Sequence, residues 1–365
     1  SKPPGRIEYG MRFKVEMFSA APNTPRRLAM NYVGLDVHAR QSTFHILDEH
    51  GKKVATRAVH GTERTVIKEL ARIKRPMSIC YEASCSYGFL HDQLSEIADH
   101  VVVAHPSKLR AIFLCKRKND RVDAAMLAKL LMLDVVPAVH VPCPDVRAWR
   151  RMITHRRSLV DDRTAIKNTL RALLRTLGLE APKSLWAKKG LAWLAGLEFD
   201  NTLDALQRDL LVERLGTLHA AIGRVEVELN KTGRAHPGVQ LLMTIPGVGP
   251  RTAEAVVAYI DDPKRFRNNK TVGAYFGLVP CQDASAGKNR LGHITADGPA
   301  VVRRMLTEAV WQGIRRSPRI RAYYERIARG KDNRKKIAIV ATMHYLIRVM
   351  HAMLISGEQW RAEAA

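Results

Sequence analysis

The spacing of apolar residues changes near Asp145, and this change constrains the fold more than any other feature of the sequence. Before Asp145, short apolar runs separated by turn residues predict β-strands, and helical spacing at residues 88–98 predicts one helix. The predicted strands are residues 32–37, 42–48, 54–59, 77–83 and 101–106. After Asp145 the spacing is mainly helical. The sequence therefore predicts an α/β region followed by an all-α region.

The chain of 365 residues is long enough for several domains, and we expect three domains after a leader. Residues 1–30 have no apolar signal-peptide core and are expected to form a disordered leader; the alternative is that the true start is Met30. The expected domains are an α/β domain at 31–145, a basic helical region at 146–235 and a mainly helical domain at 236–365.

The expected middle region carries apolar residues at the spacing of a coiled coil. In its second half they alternate at steps of four and three: Leu211, Leu215, Leu218, Ile222, Val225 and Leu229. In its first half they recur every seven residues: Met152, Leu159, Ile166 and Leu173. The pattern predicts a coiled coil or a helical hairpin. An amphipathic helix packed on a globular core is the alternative.

The charge of the chain favours a polyanionic partner. The 60 Lys and Arg residues exceed the 35 Asp and Glu residues, which gives a formal net charge of +25. Basic residues cluster in the first middle helix, where we expect Arg156, Arg157, Arg163 and Lys167 to contact nucleic-acid phosphates. The alternatives are a merely soluble basic protein and a solvated basic helix face.

Cysteine usage and hydropathy indicate the compartment. The five cysteines contain no C-x-x-C pair, so neither a disulfide framework nor a zinc site is predicted, and a reducing bacterial cytoplasm fits. The uncharged stretch at residues 337–347 is shorter than the ~20 apolar residues of a membrane span. We therefore expect a cytoplasmic protein without a membrane partner.

Residues 241–260, LLMTIPGVGPRTAEAVVAYI, place a Gly-x-Gly turn between two helical patterns, as in a helix-hairpin-helix motif. Gly247 and Gly249 would let the backbone approach a ligand closely, and the N–H groups of the following helix would hold a phosphate near Arg251. We expect DNA or RNA backbone contact here. A plain turn between two helices is the alternative.

Four carboxylates give the sharpest chemical signal. Asp36 interrupts the first apolar strand, Glu82 closes the fourth, and Asp120 and Asp123 lie three residues apart at a helix start. If they converge, they would repel one another unless a divalent cation such as Mg²⁺ or Mn²⁺ neutralised them. The alternatives are a helix-dipole role for Asp123 and a buried pair between Asp36 and a residue such as His38.

Several stretches occur in an order that resembles a known family: YVGLDVHARQSTFHIL, CYEAS, KNDRVDAAMLAKLL, IPGVGPRTAEAVVAYI and FGLVPCQDASAGKNRLGHITADGPAVVRRMLTEAVW. They are similar to the motifs of the insertion-sequence 110/116/902 family of transposases, and the resemblance covers residues 31 to 356. It implies an RNase H/RuvC-like DEDD domain, a coiled-coil middle and a mainly helical C-terminal domain with a helix-hairpin-helix-like motif. It also implies DNA transposition or site-specific recombination.

The resemblance assigns roles to individual residues. The four DEDD positions fall on Asp36, Glu82, Asp120 and Asp123, and the nucleophilic serine falls on Ser285. Where many relatives have a second Ser or Thr, this chain has Ala286. From the residues alone, a lone loop serine is usually structural. The resemblance implies that Ser285 and the metal site act together to form a phosphoserine link to DNA. Two nearby cations would neutralise the phosphate: Lys288 and Arg290.

The resemblance also implies partners. They are DNA, a homo-oligomer of two or four chains, and in some relatives a guide RNA called a bridge RNA. The basic segments 147–175 and 315–336 would hold such an RNA. Two other functions stay open: a RuvC-like nuclease or junction resolvase that uses only the metal site, and an inactive nucleic-acid-binding copy.

Overall fold

A computed structural model of the chain describes residues 30–84, 86–112, 119–285 and 288–361. One compact unit ends at Val141, and a second begins at Pro142. The predicted boundary at 145 and 146 lies four residues beyond this division. The second unit contains both sides of the other predicted boundary, at 235 and 236, so a separate middle domain stays a prediction. The predicted leader lies outside the described residues.

The first unit alternates strands and helices, as predicted. Its elements are β1 (Asn31–Val37), β2 (Gln41–Leu47), β3 (Lys53–His60), α1 (Glu63–Leu70), β4 (Met77–Glu82), α2 (Tyr87–Ile97), β5 (His100–Ala104), α3 (Pro106–Ile112) and α4 (Asp120–Met132). The five predicted strands and the helix predicted at 88–98 are confirmed. The short helices α1 and α3 were not predicted.

The five strands form one sheet in the order β3-β2-β1-β4-β5. β1 is antiparallel to β2 and parallel to β4, and β4 is parallel to β5. The central position of β1 explains its apolar sequence, because Val33 and Leu35 are fully buried. The carboxyl ends of the three parallel strands therefore lie at the same edge of the sheet.

Helix α4 packs closely on β1, and Gly34 makes this possible. A Cβ atom at position 34 would lie only 2.0 Å from the Ala124 carbonyl oxygen and 2.4 Å from the Ala128 backbone nitrogen. The start of α4 is fixed by Asn119, whose side chain accepts a hydrogen bond from the Val122 N–H. The contacts of Gly34 hold the second and third turns of α4 against the central strand, and Asn119 fixes where the helix begins.

The second unit is mostly helical, as predicted. Its elements are α5 (Pro144–Thr176), α6 (Lys188–Ala195), α7 (Thr202–Ala235), α8 (Pro237–Met243), α9 (Pro250–Ile260), α10 (Asn269–Tyr275), β6 (Pro280–Ser285), β7 (Lys288–Ile294), α11 (Ala300–Arg316), α12 (Pro318–Ala328) and α13 (Lys335–Ser356). Two short 3₁₀ turns occur at Pro263–Arg265 and Asp332–Arg334. The antiparallel hairpin of β6 and β7 was expected to be a loop.

The two long helices α5 and α7 pack against each other and run in opposite directions. Ile166 shares an apolar cluster with Leu215, whereas Ile153, earlier in α5, shares a cluster with Leu229, later in α7. The seam predicted on α7 lies inward, since all six of its residues are buried or partly buried. On α5 the predicted repeat is wrong at its start, because Met152 is 38% exposed while the adjacent Ile153 is buried. The pair is a helical hairpin, and supercoiling stays a prediction.

Helix α13 lies in the core of the second unit. The segment Asp332–Ser356 is long and apolar enough to cross a membrane by length and composition, and its most apolar 18-residue window has a mean hydropathy of 1.5. Half of its most apolar window is nevertheless buried within the protein. Most of the buried side chains of α13, from Ile339 to Met353, belong to the largest apolar cluster of the second unit, as expected for a core helix.

Candidate active site and nucleic-acid interface

Asp36 and Glu82 lie at the carboxyl edge of the sheet, on neighbouring parallel strands. The pairing of β1 with β4 sets Leu35 opposite Tyr81, so the next residue on each strand, Asp36 or Glu82, lies at the same level. Only part of this edge is covered. The Asp36 side chain is 16% exposed, while Glu82 is an exposed residue.

Asp36 meets the first turn of α4 through His38. The His38 Nε2 atom lies 3.2 Å from Asp36 Oδ2 and 3.8 Å from Asp120 Oδ1. One possible ligand atom from each of these three residues lies within 4.8 Å of the others. The structure therefore brings together two of the four predicted carboxylates and adds a histidine. The alternative pair of Asp36 with His38 is present in the same arrangement.

The electrostatics of Asp36 place Asp123 in the same group. Burial raises the pKa of the Asp36 carboxyl above its usual value, the negative charges of Asp120 and Asp123 raise it further, and His38 opposes them. A bound cation would offset the repulsion that the Asp36 carboxylate experiences from Asp120 and Asp123. Glu82 is not among the residues that act on Asp36 in this way.

The donor set fits a divalent cation. It offers carboxylate oxygens from β1 and α4 and one imidazole nitrogen from His38, ligands that suit Mn²⁺ and, for the oxygens, Mg²⁺. From the sequence, His38 is expected only as a partner of Asp36. Its spacing of two residues from Asp36 was the available signal, because residues two apart on an extended chain point to the same side.

The two glycines of the turn before α9 have different surroundings. Gly247 has a φ of +93°, and a Cβ atom there would lie 2.4 Å from the Gly313 backbone nitrogen in α11. Gly249 has no atom within 4 Å of the corresponding position. Gly247 therefore lets the turn pack on α11, whereas Gly249 and the N-terminal turn of α9 lie beside open space.

A cavity of about 550 Å³ lies beside this turn, and we call it the α9 pocket. Residues from α5, the turn, α9 and α11 line it, including Arg156, Arg157, Gly247, Gly249, Arg251, Trp311 and Arg316. Five residues predicted to contact nucleic acid are thus brought together. Two others, Arg163 and Lys167, are not among its lining residues, and Lys167 instead lies 5.0 Å from the centre of the Trp186 ring.

Acidic residues hold three of the arginines in the α9 pocket. They pair Arg156 with Glu226, Arg157 with Asp161, and Arg251 with Glu254. Arg316 is exposed, and no described residue forms an ion pair with it. The pocket therefore combines fixed guanidinium groups with one freely accessible cation and a helix N-terminus, a combination suited to phosphate groups.

Ser285 lies at the end of β6, where the register pairs it with Lys288 across the hairpin. The side chains of both residues lie outside the described part of the structure. Arg290 is exposed on β7, opposite Asp283. Ala286, where many relatives have a second Ser or Thr, also falls outside the described residues. The backbone thus places Ser285 at the end of a strand whose preceding residues, 281–283, are exposed.

Two family profiles match the chain. The profile described as "Transposase IS116/IS110/IS902 family" matches residues 239–325, and that of the IS110-type DEDD transposases matches residues 33–178. Together they cover more than half of the sequence, in the expected order. The chain belongs to this family of transposases.

Curated relatives support the assignment of the chain to this family. The chain is 29% identical to a protein of Pseudomonas aeruginosa named a probable family 20 transposase, over 76% of this chain and 82% of that protein. It is 26% identical to the transposase for insertion sequence element IS1328 of Yersinia enterocolitica, over 76% and 81% of the two chains. It is 28% identical to the transposase for IS1111A of Coxiella burnetii, over 71% of each.

Membership of the family establishes the general activity of the transposase. Transposases are enzymes that cleave DNA and transfer strands, so DNA is a partner of this chain. The DEDD family indicates a divalent metal, in agreement with the group formed by Asp36, His38 and Asp120.

Substitution of Gly247 by alanine is expected to destabilise the second unit of the transposase by about 3 kcal/mol. The new methyl group would meet the Gly313 backbone, and alanine disfavours a positive φ. Urea unfolding would measure the change. Gly249→Ala is the matched control and is expected to change stability by less than about 1 kcal/mol. Equal effects of the two substitutions would contradict the packing of Gly247 on α11.

Glu254 should make the stability of the transposase depend on pH. Burial raises its pKa to about 7, while Arg251 and Arg156 oppose the shift. The folded state therefore binds the proton more tightly than the unfolded state, whose carboxyl has its usual pKa of 4.5. The contribution of Glu254 to the free energy of unfolding is therefore lost as pH rises from about 4.5 to 7. The loss is on the order of 3 kcal/mol.

Comparison of Glu254→Gln with the unchanged protein isolates this effect. We expect the free energy of unfolding, measured with urea at pH 5 and pH 8, to fall less in Glu254→Gln. Glu213→Gln changes an exposed residue of α7 and serves as the control. An unaltered pH dependence in Glu254→Gln would show that the buried carboxyl does not titrate in this range.

Proposed function

We propose that the transposase cuts and rejoins DNA through Ser285, assisted by divalent cations held by Asp36, Glu82, Asp120 and Asp123. The observation that carries the proposal is the convergence of Asp36 and Asp120, with the raised pKa of Asp36. Mg²⁺ is the expected cation, and Mn²⁺ would substitute. His38 is proposed as an additional ligand or as the residue that orients Asp36.

An RNase H/RuvC-like fold is proposed for the first unit. Three observations support it: the strand order β3-β2-β1-β4-β5, the change from antiparallel to parallel pairing at β1, and a helix packed on β1. This arrangement puts the carboxylates of β1 and β4 at one sheet edge and supplies two more from the first turn of α4.

The proposed reaction is a phosphoryl transfer to serine. The Ser285 Oγ atom forms a bond to a DNA phosphorus, the bond from phosphorus to one deoxyribose oxygen breaks, and the hydroxyl proton ends on the departing oxygen. The resulting phosphoserine ester keeps the phosphodiester energy for rejoining. A bound divalent cation supplies stabilisation of the negative charge that develops on the phosphate oxygens. Lys288 and Arg290 would add positive charge near the nucleophile.

The other partners are proposed from surfaces of the second unit. The α9 pocket would hold a nucleic-acid backbone without reading its sequence, because its cations and N–H groups suit phosphate. The basic helix α5 and the segment 315–336 would hold a guide RNA. Because the apolar seam of α7 packs within the chain, the exposed apolar residues of the pair, such as Met152, Leu206 and Leu210, would support assembly into a homo-oligomer.

A metal-dependent nuclease is the second candidate, because the group around Asp36 lies in the first unit and would cut DNA with water as nucleophile. A denaturing gel of labelled DNA from the element's ends distinguishes the candidates. The reaction would contain the protein, RNA from the element's flank and either Mg²⁺ or EDTA. A Mg²⁺-dependent protein–DNA band that survives denaturation is expected. Free cut strands without that band would support the nuclease, and binding without cleavage would support an inactive copy.

A further inference from the structure

A second basic cavity of about 550 Å³ lies in the first unit, between the β2–β3 hairpin and α4. We call it the α4 pocket. Polar and cationic side chains around it include His45, Lys53, Thr56, Arg121 and Lys129. None of the described residues that line it is acidic. The remaining lining residues are small or apolar, among them Ala125 and Met126.

The positive charge of the α4 pocket is not neutralised within the described protein. Lys53, Arg121 and Lys129 are exposed, and none of them forms an ion pair with a described residue. The β2–β3 turn holds two acids: Asp48 Oδ1 accepts hydrogen bonds from the backbone N–H groups of His50 and Lys52, and Glu49 Oε1 lies 3.7 Å from His50 Nε2. Three cations around one concave surface attract an anion and repel one another without it.

The uncharged parts of the pocket favour a sugar–phosphate backbone over a free ion. Burial, together with the charge of Lys53, lowers the pKa of His45, which hydrogen-bonds Thr56 Oγ1 through Nδ1 at 2.6 Å. His45 therefore offers hydrogen bonding instead of charge near pH 7. The apolar surface of Ala125 and Met126 suits deoxyribose, between cations that suit the flanking phosphates.

Helix α4 connects the pocket to the carboxylate edge. Asp120 begins the helix, and Arg121, Ala125 and Lys129 follow at intervals of four residues along one face. With a rise of about 1.5 Å per residue, Lys129 lies roughly 13 Å along the axis from Asp120. That is about four nucleotides of a strand at ~3.4 Å each.

We propose that the α4 pocket binds the backbone of the DNA strand being cut, about four nucleotides from the phosphate held at Asp36 and Asp120. The register of four nucleotides rests on the proposed function, whereas the affinity for nucleic-acid phosphates does not. The pocket would hold the strand in position at the carboxylate edge while the chemistry proceeds there.

The test compares two double variants with equal changes of charge. Lys53→Ala/Lys129→Ala removes two cations of the pocket, and Arg64→Ala/Lys68→Ala removes two exposed cations of α1. The dissociation constant for labelled element-end DNA would be measured by fluorescence anisotropy from 50 to 200 mM KCl. Thermal melting would verify that both variants fold.

We expect the pocket variant to weaken binding about tenfold at 100 mM KCl and to reduce the slope of log K against log[KCl] by about 1.8. The α1 variant is expected to change the affinity and the slope by no more than about a third of the changes seen in the pocket variant. Equal effects of the two variants, or no effect of the pocket variant, would overturn the proposal. Weakening seen with guide RNA alone and not with DNA would also overturn it.

Neutral methylphosphonate linkages, placed one at a time along the strand, test the register. One such linkage about four nucleotides from the cut should weaken binding of the unchanged protein and have little further effect on the pocket variant. Sensitivity at a distant position instead would overturn the register. If the pocket variant bound DNA normally and formed the covalent protein–DNA product normally, the proposal for the α4 pocket would be contradicted and the proposed function would stand.

Discussion

Replacement of Asp36 by asparagine is expected to slow DNA strand cleavage by at least about 10³-fold and to change DNA affinity little. The Asp36 side chain is 16% exposed, against 44% for Asp120, and His38 Nε2 lies within 4 Å of both carboxylates. Asparagine keeps the shape but removes the charge, so the cation site would lose several kcal/mol of transition-state stabilisation. Single-turnover cleavage and fluorescence anisotropy of the same labelled DNA would separate the rate from the affinity.

A matched control for Asp36→Asn is available at the other end of α4. Asp134 is exposed and has a φ of +55°, a conformation that asparagine adopts readily, so Asp134→Asn should cleave at the normal rate. Cleavage by Asp36→Asn at a rate close to that of the control would contradict a catalytic metal site at the β1 edge.

Replacement of Ser285 by alanine is expected to abolish the covalent protein–DNA product completely. The alanine side chain has no oxygen that could bond to phosphorus. If water attacked the phosphate in place of Ser285, the products would be free cut strands without a protein adduct. DNA affinity should stay within about twofold, because an alcohol adds no charge to the phosphate contacts. The gel with labelled DNA reports the product, and anisotropy reports the affinity.

Ser184→Ala is the control for Ser285→Ala, since Ser184 is an exposed serine of the same unit. It should form the adduct normally. If Ser285→Ala still formed the adduct at the normal level, another residue would be the nucleophile. If Ser285→Ala cut DNA normally, and neither Ser285→Ala nor Ser184→Ala formed an adduct, the nuclease mechanism would apply.

The sequence predicted the elements that depend on burial. β2 and β4 are recognisable because the sheet buries most of their residues, and β1 because its central residues 33–35 are buried, which favours apolar runs. The hairpin of β6 and β7 was not predicted, because the described residues of β6, such as Gln282 and Asp283, are exposed and show no apolar alternation. The helices α1 and α3 are too short for periodicity to identify.

The sequence also predicted part of the site, and the remainder depends on contacts distant in the chain. An acid inside an apolar strand was a local signal, so Asp36 was identifiable. The role of Gly247 was not, because its neighbour Gly313 lies on another helix 66 residues later. Likewise, the heptad that began at Met152 was wrong because a straight helix drifts from an ideal seven-residue repeat, and Ile153 is buried instead.

Identification of the residue that carries DNA in the covalent adduct tests the central proposal most directly. The adduct formed with Mg²⁺ would be isolated, digested with nuclease and protease, and analysed by tandem mass spectrometry. We predict a nucleotide joined through its phosphate to the Ser285 Oγ atom, in the peptide that contains residues 280–290. A nucleotide on any other residue, or a protein that cuts DNA in the presence of Mg²⁺ and carries none, would contradict the serine mechanism.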